Sequence, residues 1–205
     1  MIMNTNPKNE PKPYGENVTW QLGYFHECMS GFEHQVAAHM IAEGMMDEGL
    51  VLTKTIHDRY HAAKRNPFNE IECSDHYARA MASYGTFISA CGFEFHGPKG
   101  HIRFAPKWDK GNFKAPFTTA KSWGSYTQKR KGGKQVHRLE LKYGFLQLST
   151  ISLEKIDAQK CGMVSIRLGS QKILSRFNQE GADIRIELLK PVRIQTNQTL
   201  IVSIS

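Results

Sequence analysis

Polar and charged side chains concentrate at residues 66–79, and their types suit the recognition of a sugar. Glu70 lies on a polar loop, and Arg79 follows nine residues later, about one turn into a predicted helix. A carboxylate accepts protons from two hydroxyl groups, and a guanidinium donates to hydroxyl oxygens in a fixed fork. If the loop folds over the start of the helix, both head groups reach one pocket, with Asp75 and His76 close by. A structural ion pair fits the same pattern, and Asp75 also suits the first turn of a helix.

A second group combines aromatic rings with polar donors and acceptors near the start of the chain. Aromatic rings stack on the apolar face of a sugar, but they also dominate protein cores, so both interpretations stay open. Within this group Glu33 and His34 are the candidate substrate-binding residues. The members of the group are Trp20, Tyr24, Phe25, His26, Phe32, Glu33 and His34.

The sequence predicts neither a metal site nor a cofactor. Its four cysteines, at positions 28, 73, 91 and 161, form no C-x-x-C pair, which excludes the common zinc patterns and favours buried free thiols. His57 and His61 stand four residues apart, but no H-E-x-x-H motif surrounds them, and an amphipathic helix explains the spacing.

The charge of the chain is unevenly distributed. Its 205 residues carry a formal charge of +8, with 11 basic and 13 acidic residues up to position 110 and 16 and 6 beyond it. A basic half can attract nucleic acid, but no recognition motif accompanies it, so we expect no nucleic-acid partner. No apolar stretch approaches the ~20 residues of a membrane span, and the polar, proline-containing start predicts no signal peptide and a cytoplasmic location.

The spacing of apolar residues predicts three helices, over residues 31–43, 47–63 and 74–90. Ser30 is the expected N-cap of the first helix, with a capping box completed by Glu33. Its expected buried stripe consists of Phe32, Val36 and Met40 with Ala37 and Ile41.

After Gly92 the apolar residues alternate with polar ones, which predicts strands. Residues 93–104 form a predicted hairpin around a Gly-Pro-Lys-Gly turn. The regular strands that follow indicate a sandwich-like β module. They are expected at residues 113–119, 122–128, 135–142, 145–152, 163–168, 171–176, 183–188 and 199–204.

Three stretches resemble the C-terminal part of the catalytic region of glycoside hydrolase family 116, the relatives of non-lysosomal glucosylceramidase, or bile-acid β-glucosidase. They are residues 25–37 (FHECMSGFEHQVA), 65–83 (RNPFNEIECSDHYARAMAS) and 92–100 (GFEFHGPKG). The resemblance covers residues 14–108, about half of the chain. It implies helices of an (α/α)6 barrel and retaining hydrolysis of β-glucosides by two carboxyl groups. It also implies that Glu70 and Arg79 bind glucose hydroxyls.

The family's nucleophile and acid/base lie upstream of the matching region, so the resemblance implies no catalytic residue in this chain. We therefore expect an α+β chain in which partial (α/α)6-barrel helices precede an antiparallel β-rich, sandwich-like module. The expected segments are a tail at 1–16, a barrel fragment with its hairpin at 17–110 and the β module at 111–205. We expect the chain to be a truncated or split copy of a glycosidase that is inactive alone. A partner chain can supply the missing part of the barrel. The alternative is a stand-alone carbohydrate-binding or interaction module.

Overall fold

The computed structural model describes residues 29–59, 80–155 and 160–205. The chain forms two compact units: the first unit ends at Ser89, and the second unit begins at Ala90. The helices are α1 (Ser30–Ala42), α2 (Met46–Arg59) and α3 (Ala80–Cys91). The strands are β1 (Glu94–His96), β2 (His101–Phe104), β3 (Asn112–Thr118), β4 (Ser122–Lys131), β5 (Lys134–Glu154), β6 (Val164–Leu168), β7 (Gln171–Ile173), β8 (Ser175–Glu180), β9 (Asp183–Gln195) and β10 (Thr199–Ile204). None of the helices described is both long and apolar enough to cross a membrane.

Helices α1 and α2 form an antiparallel hairpin in the first unit. Gly44 closes α1 with a backbone φ of +91°, a conformation that glycine adopts without strain. The two helices approach closely at Gly49 of α2, where an added Cβ would lie 2.5 Å from Cγ1 of Ile41. The absence of a side chain at Gly49 therefore lets α2 pack directly on the last turns of α1.

The buried face of α1 differs from the expected stripe. Phe32 is 48% exposed, and Val36 and Met40 are only half-buried, so the prediction that these three residues form the inner face is wrong. The Ser30 N-cap is also wrong, because the cap position is Met29, which makes no side-chain cap hydrogen bond, and Ser30 lies within the helix. The side chains that the helix buries are those of Ser30, Glu33, His34, Ala37 and Ile41.

The second unit consists of two sheets that share strand β5. Its first part pairs with β4 and β10 in a sheet ordered β3-β4-β5-β10-β6-β7, which we call sheet II. Its second part pairs with β2 and β9 in a sheet ordered β1-β2-β5-β9-β8, which we call sheet I. The β-rich C-terminal module is thus confirmed. Its antiparallel character holds for every described pair except β2 with β5, which is parallel.

Strand β5 bends sharply, and its two halves belong to different sheets. Nineteen residues separate Gln135 from Glu154, a span of ~60 Å in a straight strand. Nevertheless Nε2 of Gln135 donates to the Glu154 carbonyl oxygen at 3.1 Å. The two strands expected at 135–142 and 145–152 are one continuous strand, Lys134–Glu154, so the prediction of a break between them is wrong. Gly144 lies inside one continuous strand with φ of +74°, and a Cβ there would lie 1.9 Å from the Lys121 carbonyl oxygen.

The core of the second unit lies between the inner faces of the two sheets. The ring of Phe104 on β2 stacks on the ring of Tyr126 on β4, with centroids 3.8 Å apart and planes 3° from parallel. The predicted alternation along β5 is confirmed, because Leu139, Leu141, Leu146 and Leu148 are all at most 2% exposed. Facing aromatic and leucine side chains therefore hold the sandwich together.

The predicted hairpin is confirmed as β1 and β2, joined by a 3-10 turn over Gly97–Lys99. The hairpin pairs with β5 through β2, so residues 94–104 belong physically to the sheets and not to the helices. The boundary expected at 110/111 and the barrel origin of the helices stay predictions.

Candidate functional site

Glu33 occupies the first turn of α1 and is buried, with 3% of its side chain exposed. The guanidinium of Arg59, at the end of α2, binds both carboxylate oxygens. Nη1 donates to Oε1 at 3.3 Å, and Nη2 donates to Oε2. A buried carboxylate needs such a partner because removal from water strongly disfavours an isolated charge. The pair fixes the beginning of α1 to the end of α2.

His34 lies beside Glu33 and is 8% exposed. Its carbonyl oxygen accepts a hydrogen bond from Oγ1 of Thr86 on α3 at 3.4 Å. The structure thus brings Glu33, His34, Arg59 and Thr86 together on three helices. Arg59 is not among the residues predicted from the sequence. Its position three residues after the buried Ile56 nevertheless places it on the inner side of α2.

The other predicted sugar-binding residues, Glu70, Asp75, His76 and Arg79, lie outside the described residues, as do Trp20, Tyr24, Phe25 and His26. Convergence of Glu70 and Arg79 on one pocket stays a prediction. The roles of Glu33 and His34 in sugar binding likewise stay predictions.

The second unit contains a buried polar network around Tyr126. Nε2 of Gln128 donates to the Lys110 carbonyl oxygen at 2.6 Å, so the amide oxygen faces Tyr126 and can only accept. The Tyr126 hydroxyl therefore donates to Oε1 of Gln128 at 2.9 Å and accepts from Nδ1 of His137 at 2.8 Å. Nε2 of His137 is then left to accept from Nε2 of Gln135 at 3.4 Å.

This network stabilises the fold and does not provide acid–base chemistry. Burial lowers the pKa of His137 to about 3 and raises the pKa of Tyr126 well above its usual value. Both groups are 0% exposed and neutral at physiological pH, so neither can exchange a proton with a substrate. The network joins strands β4 and β5 inside the core.

The two described cysteines, Cys91 and Cys161, are free and buried, as the sequence predicted. Burial raises the pKa of the Cys91 thiol to about 12, so this thiol is protonated at neutral pH. It is therefore not a nucleophile.

An open cleft of about 450 Å³ lies between the Gly97–Lys99 turn and β5. The Phe145 ring lines it, with Nζ of Lys121 at 5.4 Å and Cζ of Arg193 at 4.0 Å from the ring centroid. These cations already interact with the ring, and the cleft lining contains lysines but no carboxylate. It offers no group for glycoside chemistry.

Comparison with known proteins does not assign this chain to a family. No protein-family profile matches its sequence, and no curated protein matches it. Among solved structures, the α-L-rhamnosidase from Dictyoglumus thermophilum superposes with a TM-score of 0.35 and 13% sequence identity. The match covers 77% of this chain and 21% of the rhamnosidase, so this chain spans about a fifth of that protein's length. A TM-score of this size is too low to establish a common fold.

Proposed function

We propose that this chain is part of a glycosidase that acts on β-glucosides and that it contributes glucose-binding residues. The observation that carries the proposal is the ordered motif at residues 65–83, in which Glu70 precedes Arg79 by nine residues. A carboxylate and a guanidinium at this spacing can bind adjacent hydroxyls of one sugar. In this proposal the catalytic carboxyl pair comes from sequence that this chain does not contain, such as a partner chain.

The described helices support the proposal without testing it. An antiparallel pair such as α1 and α2 is the repeating unit of an (α/α) barrel, and Gly49 allows the close packing that such a pair requires. The buried Glu33–Arg59 ion pair fixes the first turn of α1, where His34 lies.

Binding of methyl β-D-glucopyranoside to the full chain, followed by NMR titration, tests the proposal. We expect weak, millimolar binding by the wild type, because half of a binding site provides few contacts. Both Glu70→Gln and Arg79→Lys should weaken it at least about tenfold, since each removes a charge-assisted or bidentate hydrogen bond. Glu180→Gln, at an exposed glutamate of β8, is the control for loss of a carboxylate.

Absence of glucoside binding by the wild type would contradict the proposal. So would equal binding by the wild type and by both variants. Sugar binding that is insensitive to Glu70 and Arg79 would favour the alternative of a stand-alone carbohydrate-binding module.

A further inference from the structure

The side of sheet II that points away from the core has an unusual composition. Strand residues alternate between the two sides, and the inward ones, such as Tyr126, Leu139 and Val202, are fully or almost fully buried. The residues between them form what we call the outer face. Its polar, charged and aromatic members include Lys114, Trp123, Ser125, Thr127, Lys129, Arg138, Glu140, Lys142, Tyr143, Arg167 and Lys172.

Two exposed aromatic residues occupy paired positions at one end of the outer face. Trp123 on β4 is paired with Tyr143 on β5, and they are 51% and 64% exposed. We call these two residues the platform, because large apolar side chains exposed on neighbouring strands are typical of binding surfaces.

A β-bulge creates this platform. Trp123 pairs with Tyr143 and Gly124 pairs with Leu141, so Lys142 is an extra residue on β5. The extra residue reverses the alternation and turns Tyr143 outward, whereas two-residue spacing from Leu141 would point it into the core. Gly124 is required at this position, because a Cβ there would lie 2.1 Å from the Glu140 carbonyl oxygen.

A row of cations crosses the outer face. The strand register aligns Lys114 of β3, Arg138 of β5, Arg167 of β6 and Lys172 of β7 in one line, which also contains Thr127 and Ile201. Five strand spacings separate its ends, a length of ~24 Å. Lys129 lies in the neighbouring line on the same face. All five cationic side chains are exposed.

These cations are not neutralised by the ion pairs among the described residues of the second unit. Those pairs join Arg103 with Glu94 and Asp183, Lys110 with Glu154, and Lys142 with Glu140. The row therefore carries a net positive charge that no ion pair among these residues neutralises, and an extended polyanion complements it.

Glu140 and Lys142 lie between the platform and the cation row. Nζ of Lys142 donates to Oε1 of Glu140 at 2.5 Å, and Oγ of Ser125 donates to Oε2 at 3.4 Å. The hydrogen bond from Lys142 holds the pKa of Glu140 below its usual value, and the charge of Lys114 contributes as well. The carboxylate is thus ionised and ready to accept hydrogen bonds from hydroxyl groups.

Two adjoining depressions meet at Lys114. One, of about 470 Å³, is lined by Trp123, Ser125, Glu140 and Lys142. The other, of about 700 Å³, is lined by Thr127, Lys129 and Arg138. The first combines a stacking ring with hydroxyl-binding groups, and the second is cationic. Together they match a chain of sugars that carries carboxylate groups.

We propose that the outer face of sheet II binds an acidic polysaccharide built from uronic acid residues. The Trp123–Tyr143 platform stacks on the apolar face of one sugar ring, and Glu140 and Ser125 bind its hydroxyl groups. The cation row pairs with the carboxylates of the following sugars. This proposal uses none of the proposed glucose-binding residues.

A single-stranded nucleic acid is the competing polyanion, because aromatic rings and cations also bind bases and phosphates. The outer face favours the polysaccharide on two grounds. Glu140, between the platform and the cation row, accepts hydrogen bonds from the free hydroxyl groups of a sugar, whereas a phosphodiester group offers it no donor. The two rings also form one platform instead of a series along which successive bases could stack.

Binding of the full chain to polygalacturonate, measured by isothermal titration calorimetry at low salt, tests the proposal. We expect Trp123→Ala to weaken binding at least about fivefold, because it removes the aromatic stacking contact. Arg138→Gln should weaken it by a similar factor because it removes a charge-assisted hydrogen bond. These side chains are exposed, so circular dichroism should show an unchanged fold.

Matched controls separate the proposed surface from general charge and hydrophobicity. Trp108→Ala replaces a tryptophan that is 60% exposed outside the strands, and Lys190→Gln removes an exposed cation from β9. Both should bind polygalacturonate within about twofold of the wild type, because rim charges and remote contacts contribute little. A fully methyl-esterified polygalacturonate, which lacks the charge, should bind at least about tenfold more weakly.

Three results would overturn the proposal. The first is no binding of polygalacturonate at low salt, and the second is equal binding by the wild type and Trp123→Ala. The third is an oligo-deoxythymidylate that binds more tightly than polygalacturonate and competes for the same residues, which would assign the outer face to nucleic acid.

Discussion

Removing the Tyr126 hydroxyl should destabilise the second unit far more than the loss of one atom suggests. In Tyr126→Phe the aromatic ring and its stacking on Phe104 remain. The oxygen that joins Gln128 and His137 is lost, so two buried polar groups lose their partner. His137 cannot compensate by moving its proton to Nε2, because that atom faces the Nε2 donor of Gln135.

The size of the effect follows from these two groups. An unsatisfied buried donor or acceptor costs about 1–3 kcal/mol, so two of them should lower the free energy of unfolding by about 2–6 kcal/mol. With a urea dependence of about 2 kcal/mol per molar, the urea midpoint should fall by about 1–3 M. Because domains have total stabilities of about 5–15 kcal/mol, this loss is a large fraction of the stability of the unit.

Urea unfolding of the full chain, followed by tryptophan fluorescence, measures this shift. Tyr143→Phe is the matched control, because it removes the same atom from a residue that is 64% exposed, and it should change stability by less than about 0.5 kcal/mol. A Tyr126→Phe midpoint within about 0.3 M of the wild type would refute the assignment of the network as a stabilising core element.

Two further predictions concern other parts of the structure. Gly49→Ala places a Cβ 2.5 Å from Cγ1 of Ile41 and should therefore destabilise the helical hairpin by about 1–3 kcal/mol. Gly85→Ala is the control, because a Cβ there has nothing within 4 Å, and it should stabilise the protein by up to about 1 kcal/mol through helix propensity. Thermal melts followed by far-UV circular dichroism measure both, and equal effects would contradict the close packing. His137, whose folded pKa is about 3, should make the second unit less stable as the pH falls from about 6.5 toward 3, because only the unfolded imidazole binds a proton there. The free energy of unfolding should change by at most about 1.4 kcal/mol per pH unit. Urea titrations at a series of pH values should show a smaller change in His137→Gln, and the same change in both proteins would contradict this explanation.

The strands of the second unit could be predicted because their chemistry is local. Leucines recur two places apart in each half of β5, and this spacing survives in the structure as the buried pairs Leu139, Leu141 and Leu146, Leu148. The switch from odd to even positions between Leu141 and Leu146 was visible in the sequence as well. Two separate strands were expected here, but a bulge inside a continuous strand produces the same switch, and two-residue periodicity does not distinguish the two arrangements.

The candidate surfaces could be predicted less well because they depend on contacts between distant residues. Nothing near Arg59 in the sequence indicates that it binds Glu33, which lies 26 positions earlier on another helix. The cation row exists only because the strand register aligns Lys114, Arg138 and Arg167, which are scattered over more than fifty residues. On α1 the sequence was misleading, because the apolar spacing of Phe32 suggested a core position while the helix buries the polar Glu33 and His34.

Strand β5 also determines how the second unit must fold and open. Its backbone groups are hydrogen-bonded to β2, β4, β9 and β10. Because β5 is a strand of both sheets, unfolding of one sheet removes a strand from the other. Short edge strands such as β1 and β7 can fray locally, but amide hydrogens along β5 exchange with solvent only when the whole unit opens. Pairing of β5 with β10 joins residues about sixty positions apart, so long loops must close before the partnership forms. We therefore expect the unit to fold slowly and as a whole, on the millisecond-to-second timescale of β-sandwiches.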